Sequence, residues 1–176
     1  RKIFQEKATE VGAPIVFAQD DACAISDVRH CEKSIIYTTR EWGTFTGALS
    51  GNYQVNNTRT ILTALDIISK QLHFTPQHVH RGFMQVCENT GLQGRWQILC
   101  QEPLVVADAG HNEGGWECLR QQISDTCNGS LHIVLGTSSD KDIDSILTLL
   151  PENAHYYFTK ASVKRAMNEG ELQEKA

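Results

Sequence analysis

The stretch Pro103-Leu-Val-Val-Ala-Asp-Ala-Gly-His-Asn112 constrains this chain more than any other. A short apolar run ends in Asp108. Gly110, His111 and Asn112 follow at once, and Glu113, Gly114 and Gly115 lead into a segment with helical spacing. The pattern predicts a buried strand, a tight polar turn and a helix start. In open α/β sheets, ligands bind at the carboxyl ends of such strands. The turn gathers a carboxylate, an imidazole, an amide and several backbone N–H groups, a mixture that chain reversal alone does not require.

From Gly94 onward, strand and helix patterns alternate. Arg95–Leu99 and Leu104–Ala107 read as strands. Gly115–Ser124 reads as a helix with Trp116, Leu119 and Ile123 inward. Leu131–Leu135 is a strand, Asp142–Leu150 a helix and His155–Phe158 a strand. Strands alternating with helices indicate parallel βαβ units. The fold class expected is therefore α/β: a Rossmann-like, doubly wound, mainly parallel sheet over residues 94–176. Residues 1–50 read as the tail of a preceding domain, and 51–93 as linker helices. In the first part, residues 2–11 form a helix stopped by Gly12 and Pro14. Ile15–Ala18, Ser34–Thr39 and Trp42–Ala48 read as strands, with a turn at Gly51-Asn52. Ile61, Leu65, Ile68 and Leu72 make one apolar stripe of a long helix. Thr75-Pro76 starts another helix as N-cap and first helical residue, with Val79, Phe83 and Val86 buried.

A chain of 176 residues buries a real core. Its formal net charge of −5, with scattered Lys and Arg, argues against a nucleic-acid surface, which carries a basic excess. Cys23, Cys31, Cys87, Cys100, Cys118 and Cys127 form no Cys-x-x-Cys pair and no zinc-finger spacing with His. They read as reduced thiols of a cytoplasmic protein. No apolar stretch approaches the ~20 residues that span a bilayer, and no signal-peptide pattern is present. The chain starts without Met and ends in Gly-Glu-Leu-Gln-Glu-Lys-Ala176, the pattern of another helix start. The expectation is a segment of a longer protein.

Four local features carry chemistry, and each has a plain structural alternative. Asn56, Asn57 and Thr58 after Gly51-Asn-Tyr-Gln54 could cap a helix. Arg95 in Gly91-Leu-Gln-Gly-Arg-Trp-Gln97 could be a strand-edge charge. Asp108 with His111 could be a satisfied turn. Ser138-Ser-Asp-Lys-Asp142 could be a solvated loop that caps a helix. The remaining histidines, His30, His73, His78, His80, His132 and His155, share no spacing and read as surface or packing residues.

In this order the four features resemble the folylpolyglutamate synthase/dihydrofolate synthase family, a branch of the Mur-ligase superfamily. Its Leu-x-Gly-x-His/Tyr-Gln-x-x-Asn motif is matched by Leu49-Ser-Gly-Asn-Tyr-Gln-Val-Asn-Asn57. Gly94-Arg95-Trp96 matches its Gly-Arg-Trp/Leu, and Asp108-Ala-Gly-His-Asn112 its Asp-x-Ala-His-Asn turn. Ser139-Asp-Lys-Asp142 matches its small residue plus Asp-Lys-Asp. Gly110 departs from the usual Ala. Peptidoglycan Mur ligases carry His-Asn where this chain has Tyr53-Gln54, which favours the folate branch.

The resemblance implies an ATP-dependent amide ligase. ATP phosphorylates a carboxylate of folate or dihydropteroate, and the amine of L-glutamate attacks the acyl phosphate. The nucleotide of such enzymes lies between two domains. Arg95 matches the arginine that reaches ATP phosphate, Asp108 the aspartate near the nucleotide, and His111 the histidine facing the reacting centre. Asn57 matches the asparagine that contacts the nucleotide, with Gln54 in support. The catalytic set implied is thus His111, Asp108 and Arg95, in a monomer with no nucleic-acid or membrane partner. No residue here is assigned to a metal. The family's Mg²⁺ ligands, carbamylated lysine and phosphate-binding loop lie upstream of the matched region, and no Gly-x-x-x-x-Gly-Lys-[Ser/Thr] occurs in this chain. The polypeptide alone is therefore expected to be inactive. A Mur-superfamily ligase for a cell-wall precursor and a non-catalytic α/β nucleotide-binding module remain alternatives.

Overall fold

Alternation in Ser-Ile-Ile-Tyr-Thr-Thr places Ile35, Tyr37 and Thr39 on one face of a strand, and all three are buried. The computed structural model describes residues 1–20, 24–140 and 142–176. Cys23 and Lys141 thus lie outside the described residues. The chain divides into two compact units, Arg1–Gln93 and Gly94–Ala176.

The first unit begins with α1 (Lys2–Glu10), which buries no side chain. An antiparallel sheet follows, ordered β1 (Ile25–Cys31), β2 (Ser34–Thr39), β3 (Gly43–Gly47). Against it pack residues of α2 (Gln54–Ile68) and α3 (Pro76–Met84), and α4 (Val86–Thr90) closes the unit. Ile25, Ile35, Tyr37, Trp42, Phe45, Leu62 and Val79 form its core. Each such large apolar side chain contributes roughly 1.5–3 kcal/mol on burial. Trp42 stacks on Phe74 at 5.5 Å, and its indole N–H donates to Asp66 at 2.8 Å. His80 donates to the Trp42 carbonyl, and His78 completes a capping box with Thr75.

Three expectations change here. Ile15–Ala18 is no strand: the chain runs irregularly into a 3₁₀ turn at Ala18–Asp20, and Val16 stays exposed because no strand pairs with it. A strand the alternation rule overlooks, β1, pairs with β2 instead. Its register shifts between Ile25 and Asp27, so the inward residues Ile25 and Val28 fall out of period two. The stripe of α2 is also displaced. Gln54, Thr58 and Leu62, four apart, are the buried line. Ile61 and Leu65 instead line an apolar cavity of ≈ 350 Å³ with Phe74, Val79, Phe83 and Val86, while Ile68 and Leu72 are exposed.

In the second unit, β4 (Gln97–Gln101) and β5 (Leu104–Ala107) form an antiparallel hairpin, because two residues between strands cannot make a crossover. The α/β alternation then runs through α5 (Glu113–Thr126), β6 (Leu131–Leu135), α6 (Ile143–Leu147) and β7 (Ala154–Phe158), ending in α7 (Glu169–Lys175). β6 and β7 pair in parallel across α6, as the alternation implies. Arg95 and Trp96 precede β4 rather than lying in it, because Trp96 takes φ +50. Trp116, Leu119 and Gln122 are the buried residues of α5, with Ile123 only half-buried. Among the described residues, no helix is long and apolar enough to cross a membrane.

Candidate functional site

β5 delivers Asp108 to the start of a turn, and its carboxylate binds backbone there. Its Oδ2 accepts from the Trp96 N–H at 2.6 Å and its Oδ1 from the Gly110 N–H at 2.8 Å. Both are short, as charge-assisted bonds are. The Ala109 N–H donates to the Gly94 carbonyl at 2.9 Å. On the other side, the Gly94 N–H donates to Oε1 of Gln97 at 3.0 Å. The Gly94–Trp96 loop and the Asp108–Gly110 turn are thus bonded into one body.

That body holds a strained backbone. Gly94 has φ +65, natural for glycine, but Trp96 at φ +50 is a bulky residue in left-handed space. Such a conformation costs about 1–3 kcal/mol and persists only when its surroundings over-determine it. Here the Trp96 N–H is held by Asp108 and its side chain is buried. Between the two positive-φ residues sits Arg95, half-buried, with one guanidinium N–H donating to the Gly94 carbonyl at 3.2 Å.

His111 is exposed one residue past Gly110, and its Nδ1 lies 3.0 Å from the Ala109 carbonyl. A carbonyl only accepts, so Nδ1 is the donor and neutral His111 carries its lone pair on Nε2. Asn112 is the N-cap of α5: its Oδ1 accepts from the Gly115 N–H at 2.8 Å. Gly110 sits where a Cβ would lie 2.5 Å from Leu119 Cδ1, so here the glycine makes room for the buried Leu119.

In the first unit, Gln54 opens α2 and is buried, and its Oε1 accepts from the Asn57 amide at 3.0 Å. Asn57 therefore pairs with Gln54 rather than capping the helix, and it is exposed. Thr58 is buried and hydrogen-bonds the Tyr37 hydroxyl, whose pKa burial pushes above its ordinary value.

At the end of β6, the Ser139 N–H and hydroxyl both donate to the Arg165 carbonyl. Asp142 caps α6, accepting from the Ser145 N–H and hydroxyl, and these bonds hold its carboxyl below the usual carboxylate range. The structure thus brings Arg95, Asp108 and His111 together in the second unit, and Gln54 and Asn57 together in the first. Sequence reading overlooked Gln97 and the Trp96 main chain as supports. No residue type announces them; only the sign of φ does. Among the described residues, no group of three or more His, Cys, Asp or Glu gathers to hold a metal ion.

No protein-family model matches the chain. It is 26% identical over 165 residues to the "Probable bifunctional folylpolyglutamate synthase/dihydropteroate synthase" of Haloferax volcanii, matching 89% of this chain and 19% of the relative. It is 33% identical over 72 residues to the dihydrofolate synthase/folylpolyglutamate synthase of Buchnera aphidicola, matching 40% of this chain and 18% of the relative. The chain therefore spans under a fifth of the length of these relatives. Its fold is similar to that of a Mycobacterium tuberculosis folylpolyglutamate synthase complexed with ADP, with TM-score 0.75 over 99% of this chain and 39% of that one, at 21% identity.

Proposed function

We propose that the chain, similar to folylpolyglutamate and dihydrofolate synthases, belongs to that family and forms part of a cytoplasmic, monomeric ATP-dependent amide ligase adding L-glutamate to a folate or pteroate carboxylate. The observation that carries this reading is the bonded body of the second unit, which presents Arg95 and His111 from one rigid support.

The chemistry is phosphoryl transfer followed by acyl transfer. The substrate carboxylate attacks the γ-phosphorus of ATP and ADP leaves; the amine of glutamate then displaces phosphate from the acyl phosphate. Both steps place charge on phosphoryl oxygens, so positioned cations supply the catalysis. Arg95 is the residue for that charge, since its planar fork matches phosphate geometry. His111 offers Nε2 as an acceptor, which suits the amine of glutamate better than an anionic phosphate oxygen. Asp108, at the end of β5, is the residue for the ribose hydroxyls. In the first unit, Asn57 with Gln54 in support is the candidate for nucleotide contact. No residue of this chain is assigned to Mg²⁺.

The test is turnover of the complete gene product with ATP, L-glutamate and either tetrahydrofolate or dihydropteroate. Glutamate-dependent ADP release with a folate-type product is expected. Turnover only with a peptidoglycan precursor would move the chain to another Mur branch; nucleotide binding without ligation would make it a binding module. Within an active enzyme, Arg95→Ala and His111→Ala should each lower turnover by more than ~100-fold with the fold intact. A variant that keeps near-normal turnover removes that residue from the mechanism.

A further inference from the structure

We infer that Asp108 acts as a positioning residue, a latch whose function is to fix Arg95 through the main chain of Trp96. This rests on the assignment of Arg95 to phosphate contact, and it gives Asp108 a supporting task within that site beside its nucleotide contact. One carboxylate oxygen holds the Trp96 N–H at 2.6 Å and the other holds the Gly110 N–H at 2.8 Å. The first bond spans twelve residues and pins a bulky residue at φ +50, a conformation that an aromatic residue does not hold unaided. Arg95 sits between that pinned residue and Gly94, and Gly94 is tied by its carbonyl to Ala109 and by its N–H to Gln97. The direction of the Arg95 side chain is therefore set by main-chain bonds at both neighbours, and Asp108 supplies the one on the C-terminal side. Through Gly110 the same carboxylate fixes the turn that carries His111. A misplacement of about 1 Å at a charge-stabilising group costs on the order of 100-fold in rate.

The experiment is a double-mutant cycle in the complete gene product. Asp108→Asn replaces one acceptor oxygen by an NH₂ group, which cannot accept from a backbone N–H. Expected are a drop in kcat of about 100-fold and, when Asp108→Asn is added to Arg95→Ala, a loss well short of the product of the two single losses. Losses that multiply in the double variant overturn the latch, as does a rise in KM for ATP with kcat retained, the signature of a direct nucleotide ligand. If Arg95→Ala alone leaves turnover unchanged, the assignment of Arg95 fails instead, so the two failures are separable. Should Asp108→Asn not fold, judged by circular dichroism and melting, Gln97→Leu cuts only the bond to the Gly94 N–H. It must then show the same non-additivity with Arg95→Ala, and multiplying losses there also overturn the latch.

Discussion

Gly110 and Gly136 both leave no room for a methyl group, but what blocks it differs. A Cβ at Gly110 would lie 2.5 Å from Leu119 Cδ1, the far end of a side chain that can turn within its core. A Cβ at Gly136 would lie 2.8 Å from the Thr159 carbonyl oxygen and 3.2 Å from its Cγ2, and the backbone there is fixed because the Thr159 N–H donates to the Leu135 carbonyl. Overpacking costs about 1–3 kcal/mol. Gly136→Ala is expected at the upper end of that range and Gly110→Ala at the lower end, so thermal melts of the two variants should rank Gly136→Ala as the less stable. The reverse order would mean that the Leu119 pocket is stiffer than the strand end. Asp108 and His111 were legible in the sequence as polar residues at a strand end. That Asp108 is bonded to Trp96 and Gly110 was not, because a carboxylate looks the same in sequence whether it meets a ligand or a backbone N–H.

The caps of α5 and α6 differ in charge, and this separates their response to acid. Asn112 caps α5 with a neutral amide, whereas Asp142 caps α6 with a carboxylate held below its ordinary range by Ser145. A depressed carboxylate contributes stability that is fully present above its unfolded pKa of about 4 and is lost as the pH falls through the folded value. Amide hydrogen exchange at Ser145 should therefore accelerate, relative to Gly115, as the pH drops below about 4 once intrinsic exchange is corrected for. Equal responses would remove the charge from the account. At this scale the helices and the β6–β7 pair were readable from period and punctuation. The inward line of α2 was not, since it contains Gln54 and Thr58, and hydrophobic periodicity finds instead the neighbouring Ile61, Leu65, Ile68 and Leu72. Strand β1 was hidden for a related reason: its bulge moves Val28 out of alternation with Ile25.

For the whole molecule, the absence of a Gly-x-x-x-x-Gly-Lys-[Ser/Thr] motif from these 176 residues sets an expectation. Phosphoryl transfer needs the β- and γ-phosphates cradled by backbone N–H groups and a lysine. The isolated polypeptide should accordingly release no ADP above background with folate and glutamate, and bind nucleotide weakly. A robust ligation rate from it alone would show that the phosphates are held some other way. The alternation of β5, α5, β6, α6 and β7 made the α/β class legible in the sequence. The antiparallel pairing of β4 with β5 followed from loop length, which that alternation had masked. Gly94–Trp96 and Asp108–Gly110 are bonded to each other by main-chain groups and the single carboxylate of Asp108, so an exchange of either segment for a relative's keeps the pairing only where that carboxylate is kept. Recombination within residues 94–110 should therefore be tolerated when the hybrid retains an aspartate at 108 and fail when it does not.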